Sequence, residues 1–83
     1  MIKLNEIIES YPEEEFLKAD GFDDAIIGIE ANSLRLVYSV EAAIEVLMRS
    51  EGMTHEDAID YLYYNTINAY IGDKTPIWVN VTV

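Results

Sequence analysis

The last seven residues of the chain, IWVNVTV, carry no charged side chain and alternate between two faces. Alternation of this kind, with β-branched residues on one face, predicts a β-strand. An uncharged strand that lacks a neighbour is an aggregation-prone edge, so the rest of the chain must supply a strand to pair with it. One face carries Ile77, Val79, Val81 and Val83, and the other carries Trp78, Asn80 and Thr82.

Two further segments predict strands and lie close together in the chain. Residues 25–30 (AIIGIE) and 34–39 (LRLVYS) are rich in β-branched residues, and the residues ANS between them favour a turn. We therefore expect an antiparallel hairpin. Gly28 lies inside the first strand and indicates a β-bulge or a close neighbour.

Helix signals surround this hairpin, with capping residues before the apolar runs and glycines after them. The predicted fold class is α+β, with a small three-stranded antiparallel sheet (the hairpin plus the C-terminal strand) and three to four helices packed mainly on one face. Residues 1–83 form a single domain. The predicted helices cover residues 3–9, residues 10–21, residues 40–50 after the cap Ser39, and residues 55–70 after the cap Thr54.

The chain is strongly acidic, yet its composition is that of a folded protein. It has 16 Asp and Glu against 5 Lys and Arg, a net charge of −11, and an apolar fraction of 51%. Disordered acidic chains are poor in apolar residues, so the charge lies around a hydrophobic core. Direct binding to nucleic acid or to an anionic membrane needs a basic surface, which this composition disfavours.

The N-terminus has no apolar core of a signal peptide, and no apolar run approaches the roughly 20 residues of a membrane span. We expect a cytoplasmic location.

Nothing in the sequence has the pattern of a catalytic, cofactor or metal site. The chain has no cysteine, and His55 has no recognisable nucleophile to serve. Three carboxylates surround Gly21, but a calcium loop counted from Asp20 would place Phe22 at its third position and Ala31 at its twelfth. We expect no enzyme activity, no cofactor and no metal.

Acidic residues concentrate in the first third of the chain, where residues 1–30 hold nine of the sixteen acids. Carboxylates three or four residues apart on a helix are about 5–6 Å apart, a spacing comparable to that of phosphates along a nucleic-acid strand. These acids are either a phosphate-mimicking interaction surface or an ordinary solvated face. The candidate residues are Glu13, Glu14, Glu15, Asp20, Asp23 and Asp24.

Aromatic residues form the second candidate surface. Tyr61 and Tyr64 belong to a predicted helix whose tyrosines lie on more than one face, so a small sheet cannot bury all of them. Tyr and Trp are enriched at the energetic centres of interfaces, although such rings also lie flat over a core. Trp78 belongs to the same argument, because it is on the strand face opposite the valines.

Three segments resemble a group of small, uncharacterised proteins of bacteriophages and prophages. They are ADGFDDAIIGI (19–29), EGMTHEDAIDYLYYN (51–65) and NAYIGDKTPIW (68–78). Family members often carry Phe near the aromatic–Asn pair, where this chain has Leu62, Tyr63 and Tyr64. The resemblance implies a bacteriophage context and a location in the host cytoplasm, and it implies no mechanism.

Two functions follow as hypotheses. The first is an interaction protein that binds and inhibits a host protein with a basic surface, of the anti-defence, anti-CRISPR or nucleic-acid-mimic kind. The alternative is a module that sequesters a small molecule such as a signalling nucleotide, or a homodimeric accessory protein without enzyme activity. The first predicts loss of binding in high salt, and the second predicts a co-purifying ligand.

Overall fold

The computed structural model describes residues 4–81, which form an α+β fold around a three-stranded sheet. The α-helices are α1 (Leu4–Ser10), α2 (Val40–Glu51) and α3 (His55–Leu62). The strands are β1 (Ile26–Ile29), β2 (Leu36–Ser39) and β3 (Ile77–Val79), in the order β1-β2-β3. Helix α3 continues directly into a π-helical turn (Tyr63–Ile67), and a 3₁₀ turn (Asp23–Ala25) precedes β1. The predicted α+β class is confirmed.

The predicted hairpin is present, with its bulge. Strands β1 and β2 are antiparallel, and Ile26 pairs with Tyr38 while Gly28 pairs with Val37. Two steps along β1 therefore correspond to one step along β2, which leaves Ile27 as the extra residue of a β-bulge. The Glu30 carboxylate closes the turn by accepting hydrogen bonds from the backbone N–H groups of residues 32 and 33.

The third strand runs parallel to β2, so the prediction of a wholly antiparallel sheet is wrong. The physical reason lies in the turn before β3. Arg35 Nε donates to the Thr75 carbonyl at 2.6 Å, and Lys74 Nζ donates to the Ser33 carbonyl at 2.6 Å. These bonds hold the turn beside the start of β2, so a strand leaving it runs in the same direction as β2. Thr82 and Val83 of the predicted strand lie outside the described residues.

Helix α2 has the predicted bounds to within a residue because its ends carry strong local signals. The Ser39 hydroxyl accepts a hydrogen bond from the Ala42 N–H, and Gly52 takes a left-handed conformation with φ of 66°. The Thr54 hydroxyl likewise accepts from the Asp57 N–H at the start of α3. No helix within residues 4–81 has the length and apolar character needed to cross a bilayer.

The predicted helix over residues 10–21 is wrong, because residues 11–22 form turns and irregular backbone. The Ser10 hydroxyl donates to the Glu6 carbonyl and the Tyr11 N–H donates to the Ile7 carbonyl, so both belong to the end of α1. Three adjacent glutamates follow at 13–15, and Glu14 pairs with Lys74 in the turn before β3. Phe22 is buried in the core and Phe16 packs against it, so tertiary contacts fix this segment.

The helix predicted over residues 55–70 ends early. Its α-helical part stops at Leu62, and the π-helical turn stops at Ile67, well before Gly72. Two asparagines explain the change, because Asn side chains compete with backbone donors for carbonyl groups. Asn68 Nδ2 donates to the Tyr63 carbonyl at 2.9 Å, and Asn65 Nδ2 donates to the Tyr61 carbonyl at 3.3 Å.

The core lies between the sheet and helices α2 and α3. Its side chains are contributed by every helix, by both hairpin strands and by the segment before β1. The most deeply buried large residues are Tyr38, Ile26, Leu36 and Leu62.

Candidate interaction surface

The first part of the predicted acidic surface is the glutamate run at 13–15. Glu13 and Glu15 are exposed, whereas Glu14 is half-buried. The Glu14 carboxylate lies 3.0 Å from Lys74 Nζ, which also donates to the hairpin turn. Glu14 therefore helps to hold the turn before β3 against the hairpin, and its charge is balanced within the molecule.

The second part of the acidic surface surrounds the 3₁₀ turn. Asp23 lies 3.5 Å from Lys18 Nζ, and Asp24 lies 3.8 Å from an Arg49 nitrogen on α2. Asp20 is exposed, and no ion pair to it occurs within residues 4–81. The structure thus separates the six predicted acids into two sets. Glu14, Asp23 and Asp24 have cationic partners, and Glu13, Glu15 and Asp20 have none among the described residues.

The basic side chains of the described residues contact acceptors within the same molecule. Three of them form the ion pairs above, and Arg35 Nε donates to the Thr75 carbonyl at 2.6 Å. Every basic residue in the described part of the chain therefore already has an internal acceptor. Lys18 and Arg49 are themselves exposed, but acids outnumber these cations, so the net outward charge is negative. Sequence reasoning missed the contacts of Arg35, Arg49 and Lys74, because their partners are distant in the chain.

Negative charge also extends over the helices. Helices α2 and α3 also carry exposed carboxylates, which are separate from the candidate acids of the first third of the chain. Glu41 accepts a hydrogen bond from the Val81 N–H at 2.9 Å, and that bond lowers the pKa of its carboxyl. The other exposed acids on these helices are Glu45, Glu51, Glu56, Asp57 and Asp60.

The predicted tyrosines are exposed, but to different degrees. Tyr61 on α3 is 42% exposed, Tyr64 in the π-helical turn is 89% exposed, and Tyr70 in the following loop is 75% exposed. A ring as exposed as that of Tyr64 covers almost no core. The interface interpretation of Tyr64 therefore stays open, whereas Tyr61 is partly packed.

Trp78 lies against the core instead of on an open strand face. The parallel register pairs it with Tyr38, and paired residues of neighbouring strands point to the same face of a sheet. Its ring stacks on Tyr38 with centroids 4.8 Å apart and meets Phe22 edge-to-face at 5.8 Å. Trp78 is half-buried, so it belongs to an aromatic cluster that is open to solvent on one side only.

The solvent-facing side of Trp78 forms one wall of a cavity of about 190 Å³. We call it the Trp78 cavity. No sequence signal predicted it, because its walls come from four segments that meet only in the folded chain. The lining residues are Lys18, Ala19, Asn65, Thr66, Ala69, Ile71, Pro76 and Trp78.

A larger and shallower depression of about 690 Å³ lies along α2. Ile44 and Met48 form its apolar part, and the exposed His55 is at its margin with Glu41 and Glu45. No group of three or more His, Asp or Glu side chains within residues 4–81 is arranged to hold a metal ion. His55 accordingly has no ligand partners in the described part of the chain.

Comparison with known proteins identifies no relative, so the function is inferred from the fold and its surface. No protein-family model, curated protein or solved structure matches the chain. The resemblance to bacteriophage proteins stays a prediction from the quoted segments.

Proposed function

We propose that this protein is a bacteriophage-type interaction protein that binds a basic surface on a host protein and inhibits that host protein. One observation carries the proposal. Each described basic side chain is engaged by an internal acceptor, while Glu13, Glu15 and Asp20 are exposed and have no ion pair within residues 4–81. An external cation therefore meets uncompensated carboxylates.

The same observation disfavours the sequestration of a signalling nucleotide. Phosphate groups are usually held by arginine and lysine side chains or by backbone N–H groups at helix starts. Lys18, Arg35, Arg49 and Lys74 already have carboxylate or carbonyl acceptors, which would compete with a phosphate for their N–H groups. A macromolecular partner that brings its own cations does not meet that competition.

The inhibitory mechanism is competition. A host protein that handles nucleic acid presents lysine and arginine to phosphates, and an acidic surface of fixed shape occupies the same groove. Electrostatic attraction between opposite surfaces also accelerates their encounter. An anti-defence or anti-CRISPR protein that mimics nucleic acid would act in this way.

The test uses tagged protein as bait in lysate from a bacterial host, with bound proteins identified by mass spectrometry. We expect a nucleic-acid-binding protein that duplex DNA displaces and that about 0.5 M sodium chloride releases, because salt at that strength screens exposed charge pairs. The triple variant Glu13→Gln, Glu15→Gln, Asp20→Asn should lose this binding.

The matched control removes the same number of charges from exposed positions on the helices, as Glu45→Gln, Glu51→Gln, Glu56→Gln. It should retain most of the binding. A partner that stays bound in high salt and binds both triple variants equally would contradict the proposal.

A further inference from the structure

We propose that the Trp78 cavity is an anchor site for one bulky apolar side chain of the partner, flanked in the partner by basic residues. The inference rests on the proposed function, since it assumes a partner with a basic surface. It adds the position of the contact and the chemistry of the segment that is bound.

The size of the cavity favours a single side chain. Small-molecule sites usually enclose about 300–1,000 Å³, and this cavity has a volume of about 190 Å³. Its lining is largely apolar, with Ala69, Ile71, Pro76 and the Trp78 ring among the walls. Binding energy in protein interfaces concentrates where one anchor side chain fills such a pocket.

The wall formed by Trp78 is held by core contacts in the unbound protein. Tyr38 stacks on the indole at 4.8 Å and Phe22 meets it edge-to-face at 5.8 Å, so two core residues hold its orientation. A wall that needs no ordering costs little conformational entropy on binding. The adjoining wall is the π-helical turn, a feature that occurs often at functional sites.

The charges at the cavity favour basic residues beside the anchor. Lys18, the one cation among the lining residues, is paired with Asp23 at 3.5 Å. Asp20 directly follows the lining residue Ala19, and Asp73 lies two residues after Ile71; both carboxylates are exposed. A lysine or arginine beside the anchor is therefore attracted by carboxylates that adjoin lining residues in the chain.

This charge distribution also selects the occupant. A second copy of the chain carries the same net charge of −11, so the two acidic surfaces would repel each other on approach. A basic segment gains attraction from the same surface. We therefore assign the cavity to a basic partner rather than to self-association.

The test uses the only tryptophan of the chain, Trp78, as a fluorescent reporter inside the site. The probes are two lysine heptapeptides, one with a central phenylalanine and one with a central alanine. We expect the phenylalanine peptide to bind about tenfold more tightly in dilute buffer, because the cavity removes the phenylalanine ring from water. The fluorescence emission of Trp78 should also shift, because the bound phenylalanine covers the indole ring.

Ala69→Leu should abolish that difference by filling the cavity, since Ala69 is exposed and lines it. Ala31→Leu, at an exposed position in the hairpin turn, is the matched control and should preserve the difference. Ile71→Ala, which removes an apolar wall, is a second variant that should weaken the preference. Circular dichroism establishes that each variant is folded.

Equal, salt-sensitive binding of the two peptides would overturn the anchor site and leave the proposed function standing. Failure of both peptides to bind in dilute buffer would overturn both. A phenylalanine preference that survives Ala69→Leu in a folded protein would also overturn the anchor site, because the ring would then bind elsewhere.

Discussion

Two groups of aromatic side chains in this chain have opposite surroundings. At the sheet, Trp78 stacks on Tyr38 and meets Phe22 edge-to-face, and Tyr38 is 0% exposed. Tyr64 and Tyr70 lie in the π-helical turn and the loop after it, and their rings are mostly in solvent. The sheet cluster surrounds the fully buried Tyr38, whereas most of the surface of Tyr64 and Tyr70 is uncovered by the described residues. The same residue type therefore stabilises the fold in one region and is free for contacts in the other.

The hydroxyl groups of these tyrosines differ in the same way. The Tyr38 hydroxyl accepts a hydrogen bond from the Ala19 N–H at 2.9 Å, and burial, with smaller effects from Asp23 and Asp20, raises the pKa of Tyr38. The Tyr70 hydroxyl donates to the Asp73 carboxylate at 3.4 Å in an exposed loop. Only the first of these bonds ties distant parts of the chain together.

The largest difference in the free energy of unfolding should appear when one ring of each group is truncated to alanine. We expect Tyr38→Ala to lower the free energy of unfolding by about 3–5 kcal/mol, because it leaves a cavity in the core and an unpaired N–H at Ala19. Tyr64→Ala should change it by about 0.5 kcal/mol or less, as is usual at exposed positions. Urea unfolding monitored by circular dichroism measures both. Equal losses in the two variants would show that the exposed ring has a structural role.

Removing only the hydroxyl should give a smaller difference. Tyr38→Phe keeps the ring but leaves the Ala19 N–H without its acceptor, so we expect a loss of about 1–2 kcal/mol in the free energy of unfolding. Tyr70→Phe is the matched control and should have almost no effect, because water replaces its exposed bond. The same urea measurement applies, and a neutral Tyr38→Phe would mean that water reaches the Ala19 N–H.

The smallest expected effect on stability concerns the carboxylate of Glu30 instead of an aromatic ring. Hydrogen bonds from the Ser33 and Asn32 backbone hold the pKa of Glu30 below its ordinary value of 4.5. A carboxyl whose pKa is lower in the folded state stabilises the fold above the unfolded pKa, and that contribution is lost as pH falls through the folded pKa. Glu30→Gln should therefore lower the free energy of unfolding slightly near neutral pH. It should also reduce the amount of that free energy that is lost on acidification.

Urea unfolding near pH 7 and near pH 3 tests this expectation. Glu45→Gln, at an exposed position on α2, is the control and should leave the acid sensitivity as it is in the parent protein. An unchanged acid sensitivity in Glu30→Gln would show that the hairpin turn does not depend on this carboxylate.

Features that depend on neighbouring residues were predictable. The hairpin, the bulge at Gly28, the cap at Ser39 and helix α2 all follow from residue types within a few positions of each other. The expectation that not all the tyrosines around residues 61–70 would be buried also held, because a short helix cannot bury every side of its circumference. Local propensity decides such features wherever tertiary contacts agree with it.

Two kinds of feature were missed, namely local competition between side chains and backbone groups and contacts between distant residues. The irregular backbone after α1 reflects hydrogen bonds that complete the preceding helix, and the π-helical turn reflects two asparagine side chains competing for carbonyls. The pairing of Asp24 with Arg49 joins residues that no pattern connects. The fold was therefore needed to separate the candidate acids that pair with a described cation from those that do not.

The amino-acid sequence by itself determined a foldable acidic chain, its hairpin, its capped helix α2 and a closing strand that needed a neighbour. The tertiary structure alone decided the direction of that strand, because alternation along a strand is the same whichever way the strand runs. It also decided that Trp78 stacks on Tyr38 and walls a cavity with residues from three other segments. Directions and cavities arise from contacts between residues far apart in the chain, and a local pattern holds no information about those contacts.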